Sequence, residues 1–138
     1  MIILFLALFN TISGPPHLEV VICKPEQINP YEAIWKATCK VESDNNPFAI
    51  GDKNLKKKSY GIIQIRESRL KDYYKKTGIH YSVTDMFDVK KSKEVFMFYC
   101  QNNNIEQIAR EWNGGSRGMK KESTKKYYLK IQKALLSL

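Results

Sequence analysis

Cysteine and histidine are scarce in this chain. Its three cysteines, Cys23, Cys39 and Cys100, are scattered, and no Cys-x-x-Cys pair occurs. That excludes a disulfide framework and a zinc site; one pair, such as Cys39 with Cys100, plus a free thiol stays open, and three small buried hydrophobes are the ordinary reading. The two histidines, His17 and His80, have no ligand-like spacing, so no metal and no cofactor is expected. Seven glycines and five prolines exclude collagenous and low-complexity classes. Acidic residues are also few, 14 against 23 basic ones, for a formal charge of +9. Such an excess favours a polyanionic partner: nucleic acid, an anionic membrane face or a cell-wall polymer. Hydrophobic residues make up 43% and aromatics 12%, enough for a real core and too many for a disordered chain. The length, 138 residues, is one ordinary domain and rules out a (β/α)₈ barrel or a multidomain machine.

Long hydrophobic runs are missing too. The apolar stretch from Met1 to Phe9 stops at Asn10, short of the roughly 20 residues that span a bilayer. Its length fits a signal-peptide core, with Ser13-Gly14 as small residues nearby. It lacks a preceding Lys or Arg and a clean Ala-x-Ala site. Val20-Val21-Ile22-Cys23 loosely follows a lipoprotein box, with Ile22 where a small residue belongs. The competing reading is a buried first strand or helix turn. Export is the favoured expectation: residues 1–22 as a signal or anchor segment, residues 23–138 as the folded domain. Removing residues 1–22 deletes Glu19 and no basic residue, so the basic excess belongs to the domain.

The periodicity of the rest predicts helices. Asn29-Pro30 starts the first, with Asn as cap and Pro at the first helical position. It runs over 31–42, with Ala33, Ile34, Ala37 and Val41 on one stripe. Residues 43–58 are polar, hold Pro47, Gly51 and a lysine cluster, and read as a long loop with room for a short hairpin. A short apolar segment follows over 60–65. Residues 68–76 read as helix stopped by Gly78. Thr84 or Asp85 is expected to cap a helix reaching Cys100, apolar all round at its end. Ile105, Ile108, Ala109 and Trp112 share one helical face, closed by Asn113-Gly114-Gly115. The last helix spans 124–138, with Tyr128, Ile131, Leu135 and Leu138 expected inward and lysines outward. There is no internal repeat.

Glu42 is the leading candidate for chemistry. It closes the first helix beside an apolar stripe, where partial desolvation would raise its pKa and keep it protonated, as a general acid requires. A carboxylate at a helix C-terminus also opposes the helix dipole. On position alone an ordinary solvated glutamate would be the better reading. The later segments change that: Glu42-Ser43-Asp44-Asn45-Asn46-Pro47, then Gly61-Ile62-Ile63-Gln64-Ile65, then Trp112-Asn113-Gly114-Gly115, then Thr124-Lys125-Lys126-Tyr127.

In this order the four segments resemble the soluble lytic transglycosylase family of the lysozyme-like superfamily. That family reads Glu-Ser-x-x-Asn-Pro, Gly-Leu-Met-Gln-Ile, Ala-Tyr-Asn-x-Gly and Thr-x-x-Tyr. Each motif alone is weak; four in sequence are specific, and they cover the chain from about Tyr31 to its end. The resemblance implies a mostly α, lysozyme-like single domain of the goose-type lysozyme or transglycosylase kind, with a loop or small hairpin after the catalytic helix. It implies Glu42 as the single catalytic acid/base and Tyr127 as the tyrosine orienting it. Ser43, Gln64 and Asn113 match residues near the sugars, and Tyr60, at the head of the second motif, joins them as a substrate-binding candidate. This chain departs at Ile62-Ile63, at Trp112, and at Gly114-Gly115-Ser116 where the family has Ala-Gly-Pro. Structural alternatives stand beside each: Gln64 satisfying a buried turn, Asn113-Gly114 as a helix cap, Tyr127 as core.

Most glycosidases use two carboxylates, about 5–5.5 Å apart when retaining and 6.5–9.5 Å when inverting. The family resemblance implies one. The glutamate protonates the glycosidic oxygen of a MurNAc-GlcNAc β-1,4 bond, then takes the proton of the muramoyl 6-hydroxyl as a 1,6-anhydro ring closes. Asp44, Asp52, Glu67 and Asp72 are candidates for a second carboxylate, which would make the enzyme a hydrolytic muramidase. Asp52 is the best placed, although a turn aspartate beside Gly51 is its ordinary reading. The expected partner is the peptidoglycan glycan strand, met by a monomer in the periplasm or cell wall, in transient contact with wall or membrane surface. Lys53, Lys56, Lys57 and Lys58, with Lys120, Lys121, Lys125 and Lys126, could steer it to an anionic polymer. A basic nucleic-acid-binding module with interleaved tyrosines and a catalytically inactive lysozyme-like domain are the alternatives. The absence of any helix-turn-helix, zinc-finger or RNA-recognition signature argues against the first, and Glu42 against the second.

Overall fold

Helix α1, Pro30–Ser43, is the spine of the molecule. A computed structural model describes residues 30–138; the expected leader, the linker from Cys23 and the Asn29 cap lie outside the described residues. Ile34, Ala37, Thr38 and Cys39 are buried around more than one face of α1, and Trp35 joins them. Ala33 and Val41, expected in the central stripe, sit at its edges. A helix buried on several sides has no single stripe for periodicity to find. Thr38 is tolerated there because its hydroxyl donates to the Ile34 carbonyl at 2.8 Å.

After α1 the chain makes a three-stranded antiparallel sheet of two-residue strands: β1 Ile50–Gly51, β2 Ser59–Tyr60 and β3 Ile65–Arg66, in the order β1-β2-β3. Ile50 pairs with Tyr60 and Tyr60 with Ile65, so these share one face; Gly51, Ser59 and Arg66 share the other. The expected loop with a hairpin is therefore a small sheet whose second turn is the apolar segment itself. Gly61 opens that turn at φ 77°, and a Cβ on it would lie 1.9 Å from the Met86 carbonyl oxygen. Only glycine fits there.

Helix α2, Glu67–Thr77, ends at Gly78 in the left-handed region, as its sequence predicts. A 3-10 turn, Val83–Phe87, precedes α3, Val89–Cys100. The caps differ from expectation. Ser82 and Asp85 form a capping box on the 3-10 turn, and Asp88 caps α3 by accepting from the Lys90 and Lys91 amides. Asp85 is already engaged by Ser82 and Lys91, so it cannot cap a later helix. Helix α4, Ile105–Gly114, buries Ile108, Ala109 and Trp112 as read. A second 3-10 turn, Gly118–Lys120, leads to α5, Ser123–Leu135.

The inward face of α5 is Thr124, Tyr127, Ile131 and Ala134. Tyr128 and Leu135 lie at its margin, and Leu138 lies beyond the helix end and is exposed. The expected stripe is rotated by one residue because two polar side chains, Thr124 and Tyr127, find buried partners that hydropathy does not register. Helix α5 packs against both α1 and α4, and α3 touches α1 and α4. Phe96, fully buried on α3, meets Trp35 at 5.5 Å and Trp112 at 5.0 Å between ring centroids. Such pairs add about 0.5–1.5 kcal/mol each beyond burial. Cys39 and Cys100 are buried free thiols pushed up by desolvation to about 12, inert as nucleophiles.

Candidate active site

Short polar residues close the end of α1. Asp44 and Asn45 adopt φ of 54° and 64°, a left-handed bend that these short polar residues tolerate. Their amides return to the Lys40 and Cys39 carbonyls at 3.1 Å each, closing the helix immediately after Glu42. Ser43 Oγ donates to the Ile62 carbonyl at 2.7 Å and accepts from the Asn46 amide at 3.1 Å. Ser43 thereby clamps the helix end to the β2–β3 turn. Its hydroxyl faces protein, and Ser43 is not among the residues lining the cleft.

Glu42 is half-buried on the wall of a cleft of about 710 Å³. The sheet's polar face and α2 form one side, the end of α4 the other. Tyr127 donates its hydroxyl to Glu42 Oε1 at 2.6 Å, across 85 positions of sequence. Glu42 Oε2 has no hydrogen-bond partner among the described residues. Desolvation is the largest influence and raises the Glu42 pKa above the ordinary carboxyl range; the Tyr127 hydrogen bond and the fields of Arg69 and Arg66 act against it. Tyr127, nearly buried, is pushed well above the usual phenol range, first by burial and then by the neighbouring carboxylate. Its hydroxyl is therefore a permanent donor at neutral pH.

Tyr127 is held from below. Thr124 donates to the Gly118 carbonyl at 2.8 Å and accepts from Arg110 Nε at 3.0 Å. Arg110, 5% exposed, also donates to the Met119 carbonyl and pairs with Glu106. The spacing of Thr124 and Tyr127 is thus one helical turn, with one residue anchoring the helix start and the next aiming at Glu42.

Gln64 lines the cleft with φ of 52°. Its Nε2 donates to the Gly61 and Ala49 carbonyls at 2.9 and 3.2 Å, and its Oε1 accepts from Ser59 Oγ at 2.8 Å. The amide laces the small sheet together, and Gly51 leaves it room: a Cβ there would lie 2.0 Å from Gln64 Oε1, so the amide would have to shift. Asp52 lines the same cleft, where Arg66 pairs with it at 2.7 Å and Ser59 Oγ approaches to 3.2 Å. Asn113 stands exposed at the opposite lip, before the Gly115 cap. Tyr60 lies on the sheet's other face, its ring 6.2 Å from that of Phe87, outside the cleft lining. So the fold gathers Glu42, Gln64, Asp52 and Asn113 around one cleft with Tyr127 behind the acid, and sets Ser43 and Tyr60 in its supports.

Arg69, on α2, is a cleft residue that sequence reasoning missed. Its guanidinium lies 4.2 Å from the Trp112 ring centroid and 5.0 Å from that of Tyr99, and Nη2 donates to the Trp112 carbonyl at 2.7 Å. Nothing in the sequence separates it from Arg66, Lys71, Lys75 and Lys76 on the same basic stretch. Among the described residues no group of three or more His, Cys, Asp or Glu side chains could hold a metal ion.

Compared with models of protein families, the chain matches the transglycosylase SLT domain over residues 24–134. Among curated proteins no match to the chain is found.

Proposed function

We propose that this chain, which belongs to the transglycosylase SLT domain family, cuts the MurNAc-GlcNAc β-1,4 bond with Glu42 as its one catalytic acid/base. The general activity follows from the family: the chain is a peptidoglycan lytic transglycosylase with a lysozyme-like, mostly helical fold. The single observation that carries the finer reading is the half-buried Glu42 on the cleft wall, one oxygen held by Tyr127 at 2.6 Å and the other without a hydrogen-bond partner among the described residues.

In this reading Glu42 starts protonated, as its raised pKa favours. It gives its proton to the glycosidic oxygen as the anomeric bond breaks, and the substrate's N-acetyl group stabilises the electron-poor carbon. Tyr127 steadies the carboxylate so formed. Glu42 then takes the proton of the muramoyl 6-hydroxyl, whose oxygen closes on the anomeric carbon to give the 1,6-anhydro ring. The proton count returns to its start without water. Gln64 and Asn113 line the path of the strand, and Ser43 and Tyr60 hold the turn beside it. The alternative, a muramidase, would draw on Asp52, but that carboxylate is engaged by Arg66.

Action on the cell wall implies an exported protein, and residues 1–22 are the proposed export segment. No helix among the described residues is long and apolar enough to cross a membrane. Lys53, Lys56, Lys57 and Lys58, all exposed on the β1–β2 loop, add affinity for the anionic wall. The test is product analysis: purified peptidoglycan is digested with the wild-type chain and with Glu42→Gln, and the fragments are weighed by mass spectrometry. Anhydro ends from the wild type and none from the variant are expected. Reducing ends would establish the muramidase instead.

A further inference from the structure

The cleft's cations are not equally occupied. Arg66 is paired with Asp52 at 2.7 Å, and Lys76 with Asp72 at 2.8 Å. Glu111 turns its carboxylate to Gln107 Nε2 at 3.2 Å, and Glu42 Oε1 is taken by Tyr127. Arg69 is left without an ion-pair partner among the described residues, although it is half-buried. Its protein hydrogen bonds come from Nη2 alone, to the Trp112 carbonyl at 2.7 Å and the Glu111 carbonyl at 3.4 Å. Nε and Nη1 donate to no described residue. The two flanking aromatic rings hold the guanidinium plane in place, so its unused edge is fixed in direction.

Asp72 and Glu42 act on Arg69 only through their fields and form no ion pair with it; a partly buried charge without a direct partner is costly, and a rigid guanidinium edge is the geometry that receives a carboxylate through paired N–H donors. We propose that Arg69 is a carboxylate-binding subsite of this cleft, receiving a free carboxylate of the peptide stem carried by the glycan strand. The proposal rests on the peptidoglycan reading above. Where the muramoyl lactyl group is amide-linked to a stem, the sugars offer Arg69 only neutral hydroxyls, ethers and N-acetyl groups, so the ionic partner on such a strand is on its stems. The subsite makes the enzyme selective for strands whose stems keep their free carboxylates.

The test compares kcat/KM on two strand preparations, one native and one with its stem carboxylates converted to amides, for wild type, Arg69→Gln and Arg69→Lys. The wild type is expected to prefer native strands by about tenfold or more, the scale of a charge-assisted hydrogen bond. Arg69→Gln is expected to bring that ratio near one, and Arg69→Lys, which keeps the charge and loses the fork, to fall between. Equal loss on both substrates in Arg69→Gln, with the ratio intact, overturns the proposal and leaves Arg69 a support for Trp112. The general basic field is controlled by Lys56→Gln/Lys57→Gln/Lys58→Gln, expected to lower the preference only slightly, since exposed lysines act through a screened field. If that variant rather than Arg69→Gln removes the preference, the subsite is refuted. A wild type with no activity on either preparation, or full activity of Glu42→Gln, would sink the peptidoglycan reading itself. An active wild type with a ratio of one sinks only the subsite.

Discussion

Replacing Tyr127 by Phe removes one oxygen and keeps the ring. The lost interaction is a 2.6 Å hydrogen bond from a nearly buried phenol to the proposed acid. Hydrogen bonds to a charged partner are worth about 1.5–3 kcal/mol, and this one strengthens as Glu42 releases its proton and becomes an anion. At about 1.4 kcal/mol per factor of ten, kcat should fall roughly 10- to 100-fold. KM should move little, because Tyr127 stands behind Glu42 and does not line the cleft. The pH profile gives a second, independent readout. The hydrogen bond acts to lower the Glu42 pKa, so its removal lets the carboxyl keep its proton to higher pH. The alkaline limb of the rate profile should therefore shift upward. The assay is initial-rate turbidity loss of purified peptidoglycan from pH 4 to 9, with a thermal melt to confirm folding. A kcat within about threefold of wild type together with an unmoved alkaline limb would refute the assigned role of Tyr127.

Further outcomes are expected. Burial raises the Glu42 pKa, so the folded state binds that proton more tightly than the unfolded chain. Its contribution is stabilising below the ordinary carboxyl range and is lost as pH rises through the folded value. Glu42→Gln should consequently melt higher than wild type at pH 7.5, and the gap should close towards pH 4; a constant offset at both would contradict this sign. Asp52→Asn weakens the pairing with Arg66 but leaves Glu42 and Tyr127 in place. Activity within about tenfold of wild type and unchanged anhydro products are expected by mass spectrometry, whereas abolition would indicate a second catalytic carboxylate. Gly61→Ala must place a methyl 1.9 Å from the Met86 carbonyl oxygen at a φ of 77°. A loss of roughly 3 kcal/mol or more in urea unfolding should follow.

Much of the fold was legible because its signals are local. Pro30, Gly78 and the spacing of Ile105, Ile108, Ala109 and Trp112 mark helix ends and faces through backbone geometry reaching only a few residues. The misreadings share one cause. Thr84 or Asp85 is the local choice of cap for α3, but Ser82 and Lys91, three residues before and six after, hold Asp85. Tyr128 and Leu138 were the hydropathic choice for the inward face of α5, yet Thr124 and Tyr127 turn inward because Arg110 and Glu42 wait for them.

The sequence by itself determined the size, the basic excess, the helical class and the four motifs whose order resembles the transglycosylases. It singled out Glu42 as the candidate acid and, through that resemblance, Tyr127 as the residue expected to orient it. Only the tertiary structure decided what those residues meet. The Glu42–Tyr127 bond spans 85 positions, and Arg69 reaches Trp112 across 43, separations at which no periodicity or cap carries information. Such pairs exist because α1, α2, α4 and α5 pack at particular rotations, set by the whole core together. For the same reason Arg69 ends in the cleft without an ion pair while Arg66 and Lys76, on the same basic run, are paired with Asp52 and Asp72.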